Sequence, residues 1–115
     1  MARVTTRSAL WTWAPVVAWM AVIFAFSSVP SLSSGFSFDY ALRKCAHMTE
    51  YAVLALLLVR ALGREAPSFA LGVAYAASDE IHQHFVRGRH ASPVDVAIDG
   101  VGLLIGLLVW RRVAR

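Results

Sequence analysis

Four runs of apolar residues, each close to twenty positions long, alternate with short polar segments along this chain. The first extends from about Leu10 to Ser28 and holds Trp11, Trp13, Pro15, Trp19, Ile23, Phe24 and Phe26. The second, from about Arg43 to Leu62, contains the dense stretch Tyr51-Ala-Val-Leu-Ala-Leu-Leu-Leu-Val59. The third runs from about Pro67 to Phe85 and the fourth from about Pro93 to Trp110. A bilayer core takes roughly 20 helical residues at about 1.5 Å rise each. The pattern therefore predicts an all-α integral membrane four-helix bundle, a single domain with spans at 10–28, 43–62, 67–85 and 93–110. The third span is the weakest, because Ser78-Asp79-Glu80-Ile81-His82-Gln83-His84 is polar. A re-entrant segment is the alternative there. A full span is preferred, since an even number of crossings agrees with the charges at both ends of the chain.

Polar positions interrupt these runs in a pattern of their own. At about 100° per residue, Lys44, His47 and Tyr51 share one face of the second helix, with Glu50 at its edge. In the third, Tyr75, Asp79, His82 and Gln83 share a face and Glu80 lies beside it. In the fourth, Asp95 and Asp99 stack at i, i+4, and Gly102 and Gly106 continue that face. The Gly-x-x-x-Gly spacing lets a neighbouring backbone approach closely, so this face is expected to point into the bundle. All three stripes fall at the same end, while the opposite halves (Leu54 to Val59, Ala70 to Val73, Leu103 to Val109) are apolar. The first helix has no such stripe. Ser27, Ser28 and Pro30 at its end border the same region. In the loop that follows the third helix, Gly88 permits a tight turn. Ser92 is placed to N-cap the fourth helix, with Pro93 at its first position and Asp95 in its first turn. Arg87 and Arg89 sit over the acids, as counter-charges or as a clamp for an anionic head group.

Composition narrows the class. The chain has 115 residues, 58% hydrophobic and only 16% charged, with mean hydropathy +0.59, too apolar for an ordinary soluble domain of this size. The net charge of +4 and pI near 10.0 would suit nucleic acid in a soluble protein. Here the charges flank apolar runs, so they report membrane topology instead, and no nucleic-acid partner is expected. Seven basic residues (Arg3, Arg7, Arg60, Arg64, Arg111, Arg112, Arg115) fall on one side, against Arg43, Lys44, Arg87 and Arg89 on the other. The positive-inside rule then places both termini in the cytoplasm and the polar stripes toward the outside. The Ser-rich stretch Ser31 to Ser37 reads as a linker. Arg3, Arg7 and the first apolar run imitate a secretory signal, but about 17 apolar residues exceed the usual 7–15, so cleavage is not expected. One cysteine, Cys45, excludes an intramolecular disulfide and a multi-cysteine metal site. It is read as a small packing residue rather than a nucleophile. Trp11, Trp13 and Trp110 are interface anchors.

Three blocks carry a family resemblance: Lys44-Cys-Ala-His47-Met-Thr-Glu50-Tyr51; Asp79-Glu80-Ile-His82-Gln83-His-Phe85; and Arg87-Gly-Arg89-His-Ala-Ser92-Pro-Val-Asp95-Val-Ala-Ile-Asp99-Gly-Val-Gly102. In order and spacing they resemble the VanZ-like family, and Phe26-Ser27-Ser28-x-Pro30 looks like the ending of that family's first helix. The resemblance covers nearly the whole chain. It implies a small multi-pass protein of the bacterial inner membrane, and its namesake is associated with low-level resistance to the glycopeptide teicoplanin.

A charged side chain at the centre of a membrane helix costs about 2.5–3.5 kcal/mol on insertion scales, so the clustered acids require an explanation. One reading is structural: Lys44 and Arg89 neutralise Asp79, Glu80 or Asp95, and the network fixes helix register. The other is a site. Its candidate catalytic groups are His47, Glu50, Asp79, Glu80 and Asp95, and its candidate binding groups are Lys44, Tyr51, Gln83, Arg87, Arg89, Ser92 and Asp99. A divalent metal held by His47, Glu50, Asp79 and Asp95 is one version. Metal-free acid–base work by His47 or a carboxylate is a second, and binding alone a third. The leading expectation is a VanZ-like envelope protein. It would bind, and in one version modify, a polar or anionic envelope component (a precursor or a lipid head group) from the outer leaflet. A non-catalytic scaffold or partner subunit comes next. A small proton or ion conductor comes last, because the inner halves are apolar.

Overall fold

The computed structural model describes residues 6–27, 39–85 and 93–113. They form four helices: α1 (Thr6–Ser27), α2 (Asp39–Leu62), α3 (Glu65–His84) and α4 (Pro93–Val113). The chain is an all-α four-helix bundle, and each helix starts and stops within a few residues of its apolar run. At 1.5 Å per residue they measure about 30–36 Å, enough for a hydrocarbon core of about 30 Å. Within α1, α2 and α4, the segments Ala9–Phe26, Leu42–Leu62 and Pro93–Val113 are long and apolar enough to cross a membrane. The third helix is not in that group, because of its polar second half. It is one uninterrupted helix whose Ser68, Gly72, Ala76, Asp79, Glu80 and Gln83 form a buried stripe of small and polar residues. Asp79, Glu80 and Gln83 of the polar half are turned inward, while Ser78 and His84 remain exposed.

The connection between α2 and α3 shows why they form a hairpin. Gly63 has φ 72° and donates its backbone N–H to Val59 O at 2.7 Å. This left-handed cap favours glycine and stops α2. Arg64 follows in extended conformation, and Glu65 opens α3. The hydroxyl of buried Ser68 donates to Arg64 O at 2.6 Å. At the same end Arg111 forks onto Glu65, with Nε–Oε1 at 2.6 Å and Nη2–Oε2 at 2.8 Å. These hydrogen bonds hold the Glu65 carboxyl below its ordinary value of 4.5.

Helix α1 passes through Pro15 without ending. Proline lacks an N–H, so the carbonyl four residues earlier, Trp11 O, loses its helical donor. Arg60 of α2 supplies one: its Nη1 donates to Trp11 O at 3.4 Å. Two further cross-links fix α1 higher up. Trp19 Nε1 donates to Glu50 O at 2.8 Å, and the Tyr75 hydroxyl donates to Met20 O at 2.5 Å. Helix α1 rests on α2 and α3, and among the described residues it does not reach α4.

The tightest seam joins α2 and α4, which run parallel. A Cβ on Gly102 would fall against the Met48 carbonyl, and one on Gly106 against the Ala52 carbonyl and Ala55. The glycine face therefore points into the bundle, as its spacing implies. Antiparallel α3 packs Gly72 under Leu103. Tyr51, Leu54, Ala55, Leu58, Val59, Ala76, Leu103 and Leu107 form the core, joined by Val16 and Ile23 of α1. Outside, Leu10, Val17, Phe24, Phe26, Val101, Leu104 and Leu108 are exposed. Exposed apolar residues in this number suit lipid as the solvent rather than water.

Candidate functional site

The register of α2 on α4 sets the site. Parallel packing brings the i, i+3, i+7 face Lys44–His47–Tyr51 opposite the i, i+4 pair Asp95–Asp99, one rung per turn. In the outermost rung Lys44 Nζ pairs with Asp95 Oδ1. In the next, His47 Nδ1 lies 3.5 Å from Asp99 Oδ1. One turn deeper the ladder turns toward α3, where the Tyr51 hydroxyl donates to Asp79 Oδ2 at 3.4 Å. Gln83 Nε2, a turn further along α3, donates to the same oxygen at 3.4 Å. Burial increases with depth: the Lys44 side chain is 23% exposed, that of Asp99 2%, and Tyr51 is fully enclosed. Seven helical residues span about 10 Å, so polar groups occupy one end of the bundle and then stop. Below them come Leu54, Leu58, Leu103 and Leu107, all buried.

Among the described residues, four carboxylates are buried at this end: Asp79, Glu80, Asp95 and Asp99. Asp99 is the deepest on α4, at 1% exposure. Its Oδ1 makes no hydrogen bond with a described residue and faces the His47 ring across a gap longer than an ordinary hydrogen bond. An imidazole whose Nδ1 faces a buried carboxylate leaves Nε2 for proton exchange with a third group. Carboxylate oxygens and the Gln83 amide add acceptors and donors suited to hydroxyl, amine or amide groups.

Of the residues singled out in the sequence, Lys44, His47, Tyr51, Asp79, Gln83, Asp95 and Asp99 are brought together in this ladder. Glu80 is buried beside them on α3. Glu50 is half-buried, and its backbone carbonyl receives the Trp19 indole. Arg87, Arg89 and Ser92 lie outside the described residues, as do Gly88, Ser28 and Pro30.

The sequence offered His47, Glu50, Asp79 and Asp95 as one possible set of metal ligands. Among the described residues no three His, Cys, Asp or Glu side chains are arranged to hold a metal ion. The cause is register: Asp95 stands a rung above His47 and pairs with Lys44, while Asp79 faces Tyr51 and Gln83. Cys45 is exposed and so is not the packing residue expected of it.

Helix α1 contributes more than its sequence announced. Phe24 stacks on His82 with ring centroids 4.2 Å apart and planes at 21°, covering the α3 side of the cluster. His82 therefore packs against α1. Trp19 braces α2 at Glu50. One signal was present: a tryptophan in mid-span, away from the interface belt, must find an acceptor for its indole N–H within the protein.

The model of the VanZ/LLP1 family matches residues 10–114, a stretch that takes in nearly all of the four helices. No curated protein and no solved structure matches the chain.

Proposed function

This chain belongs to the VanZ/LLP1 family, and from that premise we propose that it binds the polar part of an envelope component at the outer end of its bundle. The observation that carries the reading is the gathering of Asp79, Glu80, Asp95 and Asp99 with Lys44, His47, Tyr51 and Gln83, all at one end of an otherwise apolar core. Each ionised group placed in a membrane helix costs about 2.5–3.5 kcal/mol on insertion scales. Helix register does not require that expense here, because Gly102 and Gly106 already lock α4 onto α2. A ligand with hydroxyl, amine or phosphate groups gives the cluster a purpose that packing does not.

In this reading the protein sits in the bacterial inner membrane, with all four helices crossing and both termini cytoplasmic. The ligand is an envelope precursor or lipid head group presented from the outer leaflet. His47, backed by Asp99, is the group best placed to move a proton if the ligand is also modified, with Asp79, Glu80 and Asp95 as the carboxylates around it. The family link to teicoplanin supplies a readout. A conducting role is disfavoured by the buried leucines beneath Tyr51, which interrupt any polar path. The Lys44–Asp95 pair favours a scaffold as the second reading, because it fixes two helices directly.

Expression of the chain in a susceptible bacterium tests this. Wild type should raise the teicoplanin concentration tolerated, and His47→Ala and Asp95→Ala should abolish the effect at equal levels of folded membrane protein. Loss of folded protein in both variants would support the scaffold instead. No effect of the wild type would remove the resistance link. A reporter fused after Arg115 should be cytoplasmic, and an external reporter would overturn the orientation.

A further inference from the structure

The last turns of α4 present Ile105, Leu108, Val109 and Arg112 at i, i+3, i+4 and i+7, a single stripe on the helix surface. With Arg111 they line an open groove of about 630 Å³. Ile105, Leu108 and Val109 are all exposed, and α1 does not reach this side of the bundle. The two arginines at the end of the groove differ. Arg111 spends Nε and Nη2 on Glu65 and is neutralised by it, keeps further N–H donors, and lines the groove. Arg112 is exposed and forms no ion pair or hydrogen bond with a described residue. Apolar surface thus leads along the helix to one uncompensated guanidinium and the further donors of a second. That sequence of chemistries is the one an anionic phospholipid carries, from acyl chain to phosphate.

We propose that this groove, at the end of the bundle opposite the carboxylates, seats one anionic phospholipid. Its phosphate rests on Arg112 and the further donors of Arg111, and an acyl chain lies along Ile105, Leu108 and Val109. Charge complementarity selects the occupant. Guanidinium groups hold phosphate oxygens in a planar fork, and the basic end of a membrane protein faces the leaflet rich in anionic lipid. The rise from Ile105 to Arg112 is about 10 Å, the depth over which a glycerol backbone and the upper acyl chain pass from the head-group region into hydrocarbon. The Glu65 fork holds Arg111 in place at the groove's end. This site is independent of the cluster at the other end and stands or falls without it.

The full chain reconstituted in phosphatidylcholine vesicles tests the proposal. Trace spin-labelled phosphatidylglycerol or, separately, spin-labelled phosphatidylcholine serves as probe, and the motionally restricted fraction gives relative affinity. Wild type should prefer the anionic probe. Each Lys or Arg near an anionic lipid contributes a factor of about five, so Arg112→Gln should lower the preference about fivefold. Arg64→Gln, exposed at the same end but outside the groove, should leave it largely intact. Leu108→Trp, which fills the groove without changing charge, should reduce the restricted fraction of the anionic probe. Inorganic phosphate in excess should not displace the lipid, because a free ion lacks the acyl contacts. Equal restriction of the two probes by wild type would overturn the proposal. So would equal losses in Arg112→Gln and Arg64→Gln, or displacement by inorganic phosphate. Both Arg variants lie on the surface and are checked for native helix content and elution.

Discussion

Replacing Gly102 or Gly106 with alanine probes the seam on which the whole site depends. A methyl group at 106 would lie 2.8 Å from Ala55 Cβ and 3.0 Å from the Ala52 carbonyl carbon. At 102 it would lie 3.0 Å from Met48 Cα and 3.1 Å from the Met48 carbonyl carbon. Carbon atoms rest at about 3.5–4.0 Å, so α2 and α4 must part by roughly half an ångström or more. These obstacles are mostly backbone and cannot rotate away. Overpacking of this kind costs about 1–3 kcal/mol, offset by up to about 1 kcal/mol from the better helix propensity of alanine. The expected net loss is about 0.5–2 kcal/mol per site. Two glycines serve as internal controls. A Cβ at Gly100 meets nothing within 4 Å, so Gly100→Ala should be neutral or stabilising. At Gly72 the neighbour is the mobile end of Leu103, at 2.5 Å, so Gly72→Ala should fall between the two. Reversible unfolding in mixed detergent micelles gives the free energies. Gly102→Ala and Gly106→Ala as stable as Gly100→Ala would refute the parallel, close-packed register and the ladder built on it.

The Pro15 clamp predicts a non-additive pair. Arg60→Ala should cost about 0.5–1.5 kcal/mol in the parent, and much less in a Pro15→Ala background, where residue 15 regains an N–H for Trp11 O; equal costs in both backgrounds would dismiss the clamp. Lys44→Met should destabilise by about 1–3 kcal/mol, because it leaves Asp95 buried without its counter-charge. Adding Asp95→Leu should recover part of that loss, and a double variant less stable than Lys44→Met would count against the pairing. The Glu65 fork predicts a pH effect of defined sign. Its carboxyl is held below the ordinary value of 4.5, so its contribution is complete above that pH and is lost as pH falls through the lower folded value. The difference in melting temperature between wild type and Glu65→Gln should therefore be constant near neutrality and shrink in acid, whereas a difference that widens in acid would contradict the fork.

The apolar runs made the four helices legible, and the i, i+3, i+7 spacings marked the faces that meet. Gly102 and Gly106 correctly identified the inward face of α4. Helical periodicity shows which residues share a face, but not how far one helix is shifted along another. That shift decides that Asp95 meets Lys44 rather than His47. The role of α1 was hidden for a related reason. Trp19, Phe24 and the freed carbonyl of Trp11 acquire meaning only through partners on other helices. Polarity in α3 reads as a weak span in the sequence because composition does not show that Asp79, Glu80 and Gln83 are turned inward.

The ligand-binding reading rests on the polar cluster at the Lys44 end of the bundle. An experimental structure of the full chain, purified in nanodiscs with lipid extracted from a bacterial envelope, tests it most directly. Non-protein density should appear among α2, α3 and α4, within hydrogen-bond distance of at least His47, Asp79 or Asp99. A cluster whose carboxylates are satisfied entirely by protein side chains and water, with no such density, would contradict it.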